Sequence, residues 1–314
     1  MELVWKKIGC LLKPSEDKPW WASIRASGSC AIPRPKSNLF DIYITGVDDK
    51  GRSRIGHAIW SPSNPDKLLD IASEPCLDLG DIGTFSESGT SYPSVIKYNN
   101  KYYMFFTGWK LGGTVSFYNN LGMAECDKSD GKFIYTSRAP IFPLSDNEPF
   151  GIGSCNISYN SKNKYFNLLY TSFQSFIVKN KINHHRYYIK LVKSECLKIW
   201  NGRGTNILIN NSLNDSKICR PAPFDGNKML FCQRGIDSKY QIYFASKSRQ
   251  HWVKSPKPIK LIGKNESWDK NEQCYPFIFS YKDTNFLLYS GNNYGEGGLG
   301  LAYQKRNEKF DENS

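Results

Sequence analysis

The sequence predicts an all-β chain in which one short meander is used five times. Three observations carry that expectation. The first is the stretch 84–125, where a polar, Gly-containing lead-in precedes three short apolar runs at 92–96, 102–107 and 121–124. Runs of that length between turn residues read as antiparallel strands. The second is recurrence. The cassette returns around Ala31-Ile32-Pro33, Cys155-Asn156-Ile157, Arg220-Pro221-Ala222 and Tyr275-Pro276-Phe277. The middle residues Pro33, Pro93, Asn156, Pro221 and Pro276 lie 60, 63, 65 and 55 residues apart. The third is the lack of a helical period over about ten residues anywhere in the chain.

A period near 60 residues marks a radial or stacked repeat, and about four strands per repeat is the content of a propeller blade. The expectation is therefore a five-bladed β-propeller that occupies 1–314 as a single domain. Residues 1–30 hold an apolar run at 3–8 and a polar loop with Trp20-Trp21. The five units follow, with second and third strands expected at 40–44 and 55–59, 102–107 and 121–124, 165–170 and 188–192, 228–232 and 240–245, and 286–289 and 299–303. After 303 only a charged tail remains, so the last unit lacks a fourth strand of its own. The N-terminal run is expected to supply it and close the ring, removing a sheet edge that would otherwise pair with other chains.

Composition narrows the function. Aromatic residues make up 14% of the chain and there are 25 glycines, which suits β-structure with tight turns. The net charge of +13 reads first as a Lys- and Asn-rich surface, with an anionic partner as the functional alternative. No dense Lys/Arg block marks a nucleic-acid tail. The N-terminus lacks the apolar core of a signal peptide, and no apolar run is long enough for membrane insertion. Nine cysteines are scattered without a C-x-x-C pair, which reads as reduced thiols in a cytoplasmic protein.

In a meander, successive turns alternate between the two ends of the sheet. The starts of the first strands and the longer second-to-third loops therefore share one face, and such loops carry function. Glu87, Glu148 and Glu272 are the candidate catalytic carboxylates on that face, the residue type that serves as a general acid or base. Arg220, beside Pro221, is placed to fork onto a carboxylate or phosphate. Arg186, Arg234 and Arg34 are further candidate binding cations. Trp109, Tyr118 and Tyr294 are candidates for stacking on a ligand, and Asn119 and Asn293 for hydrogen bonds to it. Tyr102, Phe105 and Phe106 read as core. His184-His185 reads as an exposed loop pair, because no ligand cluster with metal spacing accompanies it. No metal or other cofactor is expected.

Several runs resemble a known group. Trp268-Asp269, Cys274-Tyr275-Pro276-Phe277, Leu288-Tyr289-Ser290-Gly291-Asn292-Asn293-Tyr294-Gly295 and Gly298-Leu299-Gly300-Leu301-Ala302 look like the last blade of five-bladed propeller glycosidase-like proteins. The stretch 103–109 with 114–120 resembles the same group, as do Glu74-Pro75, Asp78-Leu79-Gly80 and Gly83-Thr84-Phe85. The resemblance spans nearly the whole chain. It is closest to propellers of bacterial surface-polysaccharide clusters and more remote to glycoside hydrolase families 32, 43 and 130. It implies a central funnel, carboxylates on the first strands, and a carbohydrate or activated-sugar ligand, including phosphate- or nucleotide-linked forms. By blade position Glu87 resembles the acid that modulates pKa, and Glu148 the general acid. The first strand of the first blade, Gly28-Ser29-Cys30-Ala31-Ile32-Pro33-Arg34, departs from the family 43 pattern by lacking its Asp base. The expected activity is glycosyl cleavage or transfer in cytoplasmic glycan assembly. A transferase or phosphorylase using an activated sugar, and a catalytically silent binding propeller, are the alternatives.

Overall fold

A computed structural model describes residues 3–15, 19–142, 144–201, 204–208, 217–248, 251–264 and 266–306. The part of the charged tail from 307 onward lies outside the described residues. Among the described residues twenty-one strands alternate with turns, and helix is confined to two 3-10 turns and a single turn at Asn292–Gly295, within which Asn293 and Tyr294 have left-handed backbone. The chain opens with β1 (Val4–Leu12) and then runs through four-stranded antiparallel meanders. The first holds β2 (Arg25–Pro33), β3 (Phe40–Val47), β4 (Ser53–Trp60) and β5 (Leu68–Ile71). The second holds β6 (Gly89–Tyr98), β7 (Lys101–Leu111), β8 (Phe117–Cys126) and β9 (Ile134–Tyr135). The third holds β10 (Ile152–Asn160), β11 (Tyr165–Lys179), β12 (Ile182–Ser194) and β13 (Thr205–Leu208). The fourth holds β14 (Lys217–Phe224), β15 (Lys228–Arg234), β16 (Gln241–Ser248) and β17 (His251–Lys254).

A short strand, β18 (Lys260–Ile262), precedes the last meander: β19 (Cys274–Tyr281), β20 (Thr284–Ser290) and β21 (Leu299–Lys305). Its fourth strand is β1. It pairs antiparallel with β21, with Lys6 opposite Tyr303 and Leu12 opposite Leu299. The outer edge of β1 is covered by β18 in parallel. The N-terminal segment therefore joins the last unit, as its missing strand requires. Single parallel bridges, Ser53 to Gly89 and Tyr187 to Lys217, link meanders one to two and three to four. The hydrogen-bonded network forms three separate sheets of five, eight and eight strands.

The apolar cores lie between consecutive meanders. Trp21, in the turn before β2, and Phe40 and Trp60 of the first pack with Phe286 and Leu301 of the last. Tyr43 and Ile55 meet Met104 and Phe106. Phe105 and Leu121 meet Phe166 and Trp200. Leu169 and Ile189 meet Met229 and Phe231. Phe224 and Leu230 meet Trp5 and Tyr289. Tyr102, Phe105 and Phe106 are buried, as expected of core residues. The first strands touch in a cycle: β2 with β6, β6 with β10, β10 with β14, β14 with β19, and β19 with β2.

Each first strand breaks register once against its second strand: Ser27/Ser29, Ser91/Ser94, Ile152/Cys155, Cys219/Ala222 and Cys274/Phe277. A bulge bends the strand and re-aims its side chains. Gly28, Tyr92, Arg220 and Tyr275 at four of these bulges have positive φ, between 21° and 55°. The repeat register is corrected here. In the first and third units Ser29 and Ser154, not Pro33 and Asn156, share the position of Pro93, Pro221 and Pro276. Only three bulges carry a proline; Gly28 provides the left-handed turn of the first.

At the middle of the first strands lies Arg220, 1% exposed. Its guanidinium donates to the carbonyls of Ser29 (2.6 Å), Tyr92 (3.2 Å) and Pro93 (3.2 Å). Its backbone N–H donates to Thr171 Oγ1 at 3.3 Å. Arg220, singled out in the sequence as a candidate ligand cation, does not line the cavity described below. Its side chain is a buried tie between β14, β2 and β6.

Trp5 on β1 is fully buried against Phe224. Replacing it by Ala is expected to destabilise the chain by about 3–5 kcal/mol through the cavity left behind. Urea denaturation followed by fluorescence checks this; a loss confined to a few tenths would mean that β1 contributes little.

Candidate functional site

The starts of the first strands and the second-to-third connections enclose a cavity of about 490 Å³. A smaller recess of about 250 Å³ adjoins it and shares Arg25, Tyr92, Phe117, Asn119 and Tyr294. The bulges explain part of the lining, because they turn Tyr92 and Tyr275 inward. Their rings meet edge to face at 4.9 Å. Tyr240 packs against both Tyr275 and Tyr294.

Three cations face this space. Lys217, at the start of β14, is 4% exposed, and no described residue forms an ion pair with it. Burial, with the charge of Arg234 second, lowers its pKa to about 8. Arg234 donates to the Tyr294 hydroxyl at 2.8 Å, and its guanidinium lies over the Tyr240 ring at 4.9 Å. Its Nε is buried without a hydrogen-bond partner. Arg25 is less free, being paired with Glu296 at 2.7 Å. His185 completes the wall, stacked on Phe117 at 4.6 Å. Burial first, then the Lys217 charge, pushes its pKa down to about 4, so the ring is neutral at pH 7. Its Nε2 is buried and unpartnered. Among the described residues, neither the cavity nor the recess is lined by an Asp or Glu.

Of the residues singled out in the sequence, Trp109, Asn119, Arg234 and Tyr294 line this space. Trp109 Nε1 donates to Ser53 Oγ at 2.7 Å. The others do not line it. Glu148 is fully buried; its Oε1 accepts from Lys190 Nζ and Tyr170 OH, each at 2.7 Å, and its Oε2 from Ser172. Glu272 is 1% exposed and accepts the backbone N–H groups of Tyr240 and Tyr294, both at 3.1 Å. It fixes Tyr294, which has φ 62°. Glu87 accepts the N–H of Gly83 within its own turn. The three carboxylates do not converge, because each satisfies a different part of the scaffold.

Arg34 pairs with Asp41 and Asp130 near the end of β2, away from the bulge. Arg186 lies over the Tyr188 ring. Tyr118 is 43% exposed, outside the lining. Asn293 is engaged with Lys239 and Glu296 on the rim. The reading of His184-His185 as an exposed pair is corrected: His185 lies within β12 and is 5% exposed.

Lys217 and Arg25 were missed in the sequence. Three residues before each bulge the units carry Arg25, Gly89, Phe150, Lys217 and Glu272. That column becomes visible once the bulge register is known. Among the described residues no group of three His, Cys, Asp or Glu side chains is placed to hold a metal ion.

Glu148→Gln leaves Lys190 buried beside a neutral partner. It is expected to destabilise the fold by about 3–5 kcal/mol, the usual penalty for breaking a buried pair. Chemical denaturation measures it. A stable variant that loses only turnover would return Glu148 to a catalytic role.

No protein-family model matches the chain. An uncharacterized protein of Mycobacterium tuberculosis is 29% identical over 307 residues, which span 96% of this chain and 99% of that protein. Solved structures match over nearly the full length at low identity. A glycosyl hydrolase from Bacteroides ovatus superposes with a TM-score of 0.73 at 12% identity, over 99% of this chain and 96% of its own. A structure from work on family 130, described as mannoside phosphorylases that include hydrolases of β-1,2-mannosidic linkages, gives 0.71 at 13% identity, over 99% and 96%. A thermostable family 43 glycoside hydrolase gives 0.65 at 16% identity, over 91% and 90%. The chain has the fold of the glycoside hydrolase-like β-propellers.

Proposed function

We propose that the chain is a carbohydrate-active propeller whose ligand carries an anionic group, a glycosyl phosphate or nucleotide-activated sugar, held in the cavity by Lys217 and Arg234. In this reading the meanders are five blades of one domain, and β1 closes the ring. The cycle of contacts between first strands supports that arrangement. The observation that carries the functional reading is the lining. Two buried-to-half-buried cations face a space without a described carboxylate. A sugar phosphate would supply the missing countercharge, and Arg geometry suits phosphate. Tyr92, Tyr240, Tyr275 and Tyr294 give the apolar faces on which a pyranose or base packs.

Hydrolysis by paired carboxylates is less well supported, since that chemistry needs two acids flanking the bond. Transfer or phosphorolysis with an activated sugar fits the charges better. The lack of lining acids equally favours a glycan-binding propeller without turnover. Product formation from a bound activated sugar separates the two. The setting we propose is the cytoplasm, in assembly of a surface glycan; nine unpaired cysteines are compatible with a reducing compartment.

A thermal-shift screen tests the ligand class. Sugar phosphates or nucleotide sugars at about 100 times Kd should add about 2.7 kcal/mol of stability. Neutral oligosaccharides of the same size should add less. Lys217→Met or Arg234→Met should weaken anion binding about 10- to 100-fold, by loss of a charged hydrogen bond. A shift given only by neutral sugars would overturn the proposal.

The pH dependence follows from Lys217. Its amine is protonated below about pH 8 and loses its charge above it. A sugar phosphate is already dianionic at about pH 7 and above. Affinity measured by calorimetry should therefore fall as pH rises through about 8, and the fall should vanish in Lys217→Met. A flat profile in the parent chain would exclude Lys217 as the anion's partner.

A further inference from the structure

We propose that Cys219 and Cys232 form an oxidation site in the cavity wall, a thiol pair that a small hydroperoxide converts to a cross-strand disulfide. The two are register partners on β14 and β15. Directly opposed residues of an antiparallel pair have Cβ atoms about 4.5–5.5 Å apart. A disulfide needs about 3.5–4.5 Å, so a shift of roughly 1 Å joins them. The bulge at Cys219/Ala222 places that shift where the strand already bends. Both residues are free thiols in this structure.

The pair is asymmetric in both access and chemistry. Cys219 lines the cavity at 6% exposure, while Cys232 is fully buried. The Cys232 thiol beside Cys219 holds its pKa below the ordinary thiol value, against the effect of burial. The Tyr240 hydroxyl and the charges of Arg234 and Lys217 act in the same direction. Burial keeps Cys232 protonated. Elsewhere burial makes thiols inert: Cys30 and Cys155 are each pushed up to about 12, and Cys10 to about 11. A thiolate near cations with a resolving thiol beside it is the arrangement that redox-sensitive cysteines use.

The chemistry balances with one molecule of hydrogen peroxide. The Cys219 thiolate attacks a peroxide oxygen, the O–O bond breaks, and the departing hydroxide takes a proton to become water. The product is a sulfenic acid. Cys232 gives up its proton and attacks the sulfenic sulfur; the S–O bond breaks and a second water leaves. Two thiols are oxidised by two electrons in all, and the peroxide is reduced to two waters. Cys232 Sγ now accepts the N–H of Tyr275 at 2.8 Å. Cross-linking would loosen that contact and so disturb Tyr275 in the cavity wall.

The test uses the whole chain treated with hydrogen peroxide at neutral pH, then peptide mass mapping. The expected product is one cross-linked peptide joining 219 to 232, lighter by two hydrogens, with Cys30 and Cys155 still reduced. Cys219→Ser should abolish the cross-link and leave Cys232 reduced. Oxidation of the exposed Cys196 while 219 and 232 remain thiols would overturn the proposal, as would a Cys219 sulfinic acid without any cross-link. The parent chain alone decides these outcomes, whatever the folding of the variant. Inorganic phosphate added before the peroxide separates this inference from the ligand reading. Slower cross-linking supports both, whereas an unchanged rate supports the thiol pair and counts against phosphate in the cavity.

Discussion

The structure depends on one buried guanidinium. Arg220 sits where first strands of different meanders meet, and three backbone carbonyls from β2 and β6 accept its N–H groups. Bulges create the need for it. They take backbone groups out of the ladder, and a buried carbonyl without a donor is costly. A charged donor with a planar fork satisfies several at once. The left-handed backbone at Arg220 (φ 55°) aims the side chain across the strands rather than into the blade. With Thr171 bound to its backbone N–H, one residue ties elements of four meanders. The bulges that need this tie also present Tyr92 and Tyr275 to the cavity, so packing at the centre and shape of the site have one origin.

Charges are divided between scaffold and cavity. Glu148 is matched by Lys190, Asp269 by Lys7 and the Tyr289 hydroxyl, and Asp48 by Arg54. Glu272 holds two backbone N–H groups that set the position of Tyr294. These acids stabilise the chain where buried backbone or cations would otherwise lack partners. The cavity keeps Lys217 and Arg234 without described acids beside them, and the overall charge of +13 adds a long-range field of the same sign. That separation of roles is the basis on which we propose a site that attracts anions.

The all-β character and the pairing of the N-terminal strand were legible because turns punctuate the strands and the fifth unit is one strand short. The repeat register was legible only where proline marks the bulge, at Pro93, Pro221 and Pro276. Gly28-Ser29 and Gly153-Ser154 do the same job without it, and the cassette slipped by four and two residues there. The candidate carboxylates were chosen by type and blade position. Neither tells a free acid from one held by a distant lysine, as Glu148 is by Lys190 across 42 positions of chain. His185 looked like a loop residue because β12 begins beyond the usual strand length, extending the hairpin over the cavity. Lys217 was invisible as a single lysine in a basic chain. Only its burial marks it.

A crystal structure with a hexose 1-phosphate bound tests the division of charge most directly. The phosphate is expected within hydrogen-bonding distance of Lys217 and Arg234, with the sugar ring against the tyrosines and Glu148 still on Lys190. A phosphate bound elsewhere, or a sugar gripped by Glu87 and Glu148, would contradict it.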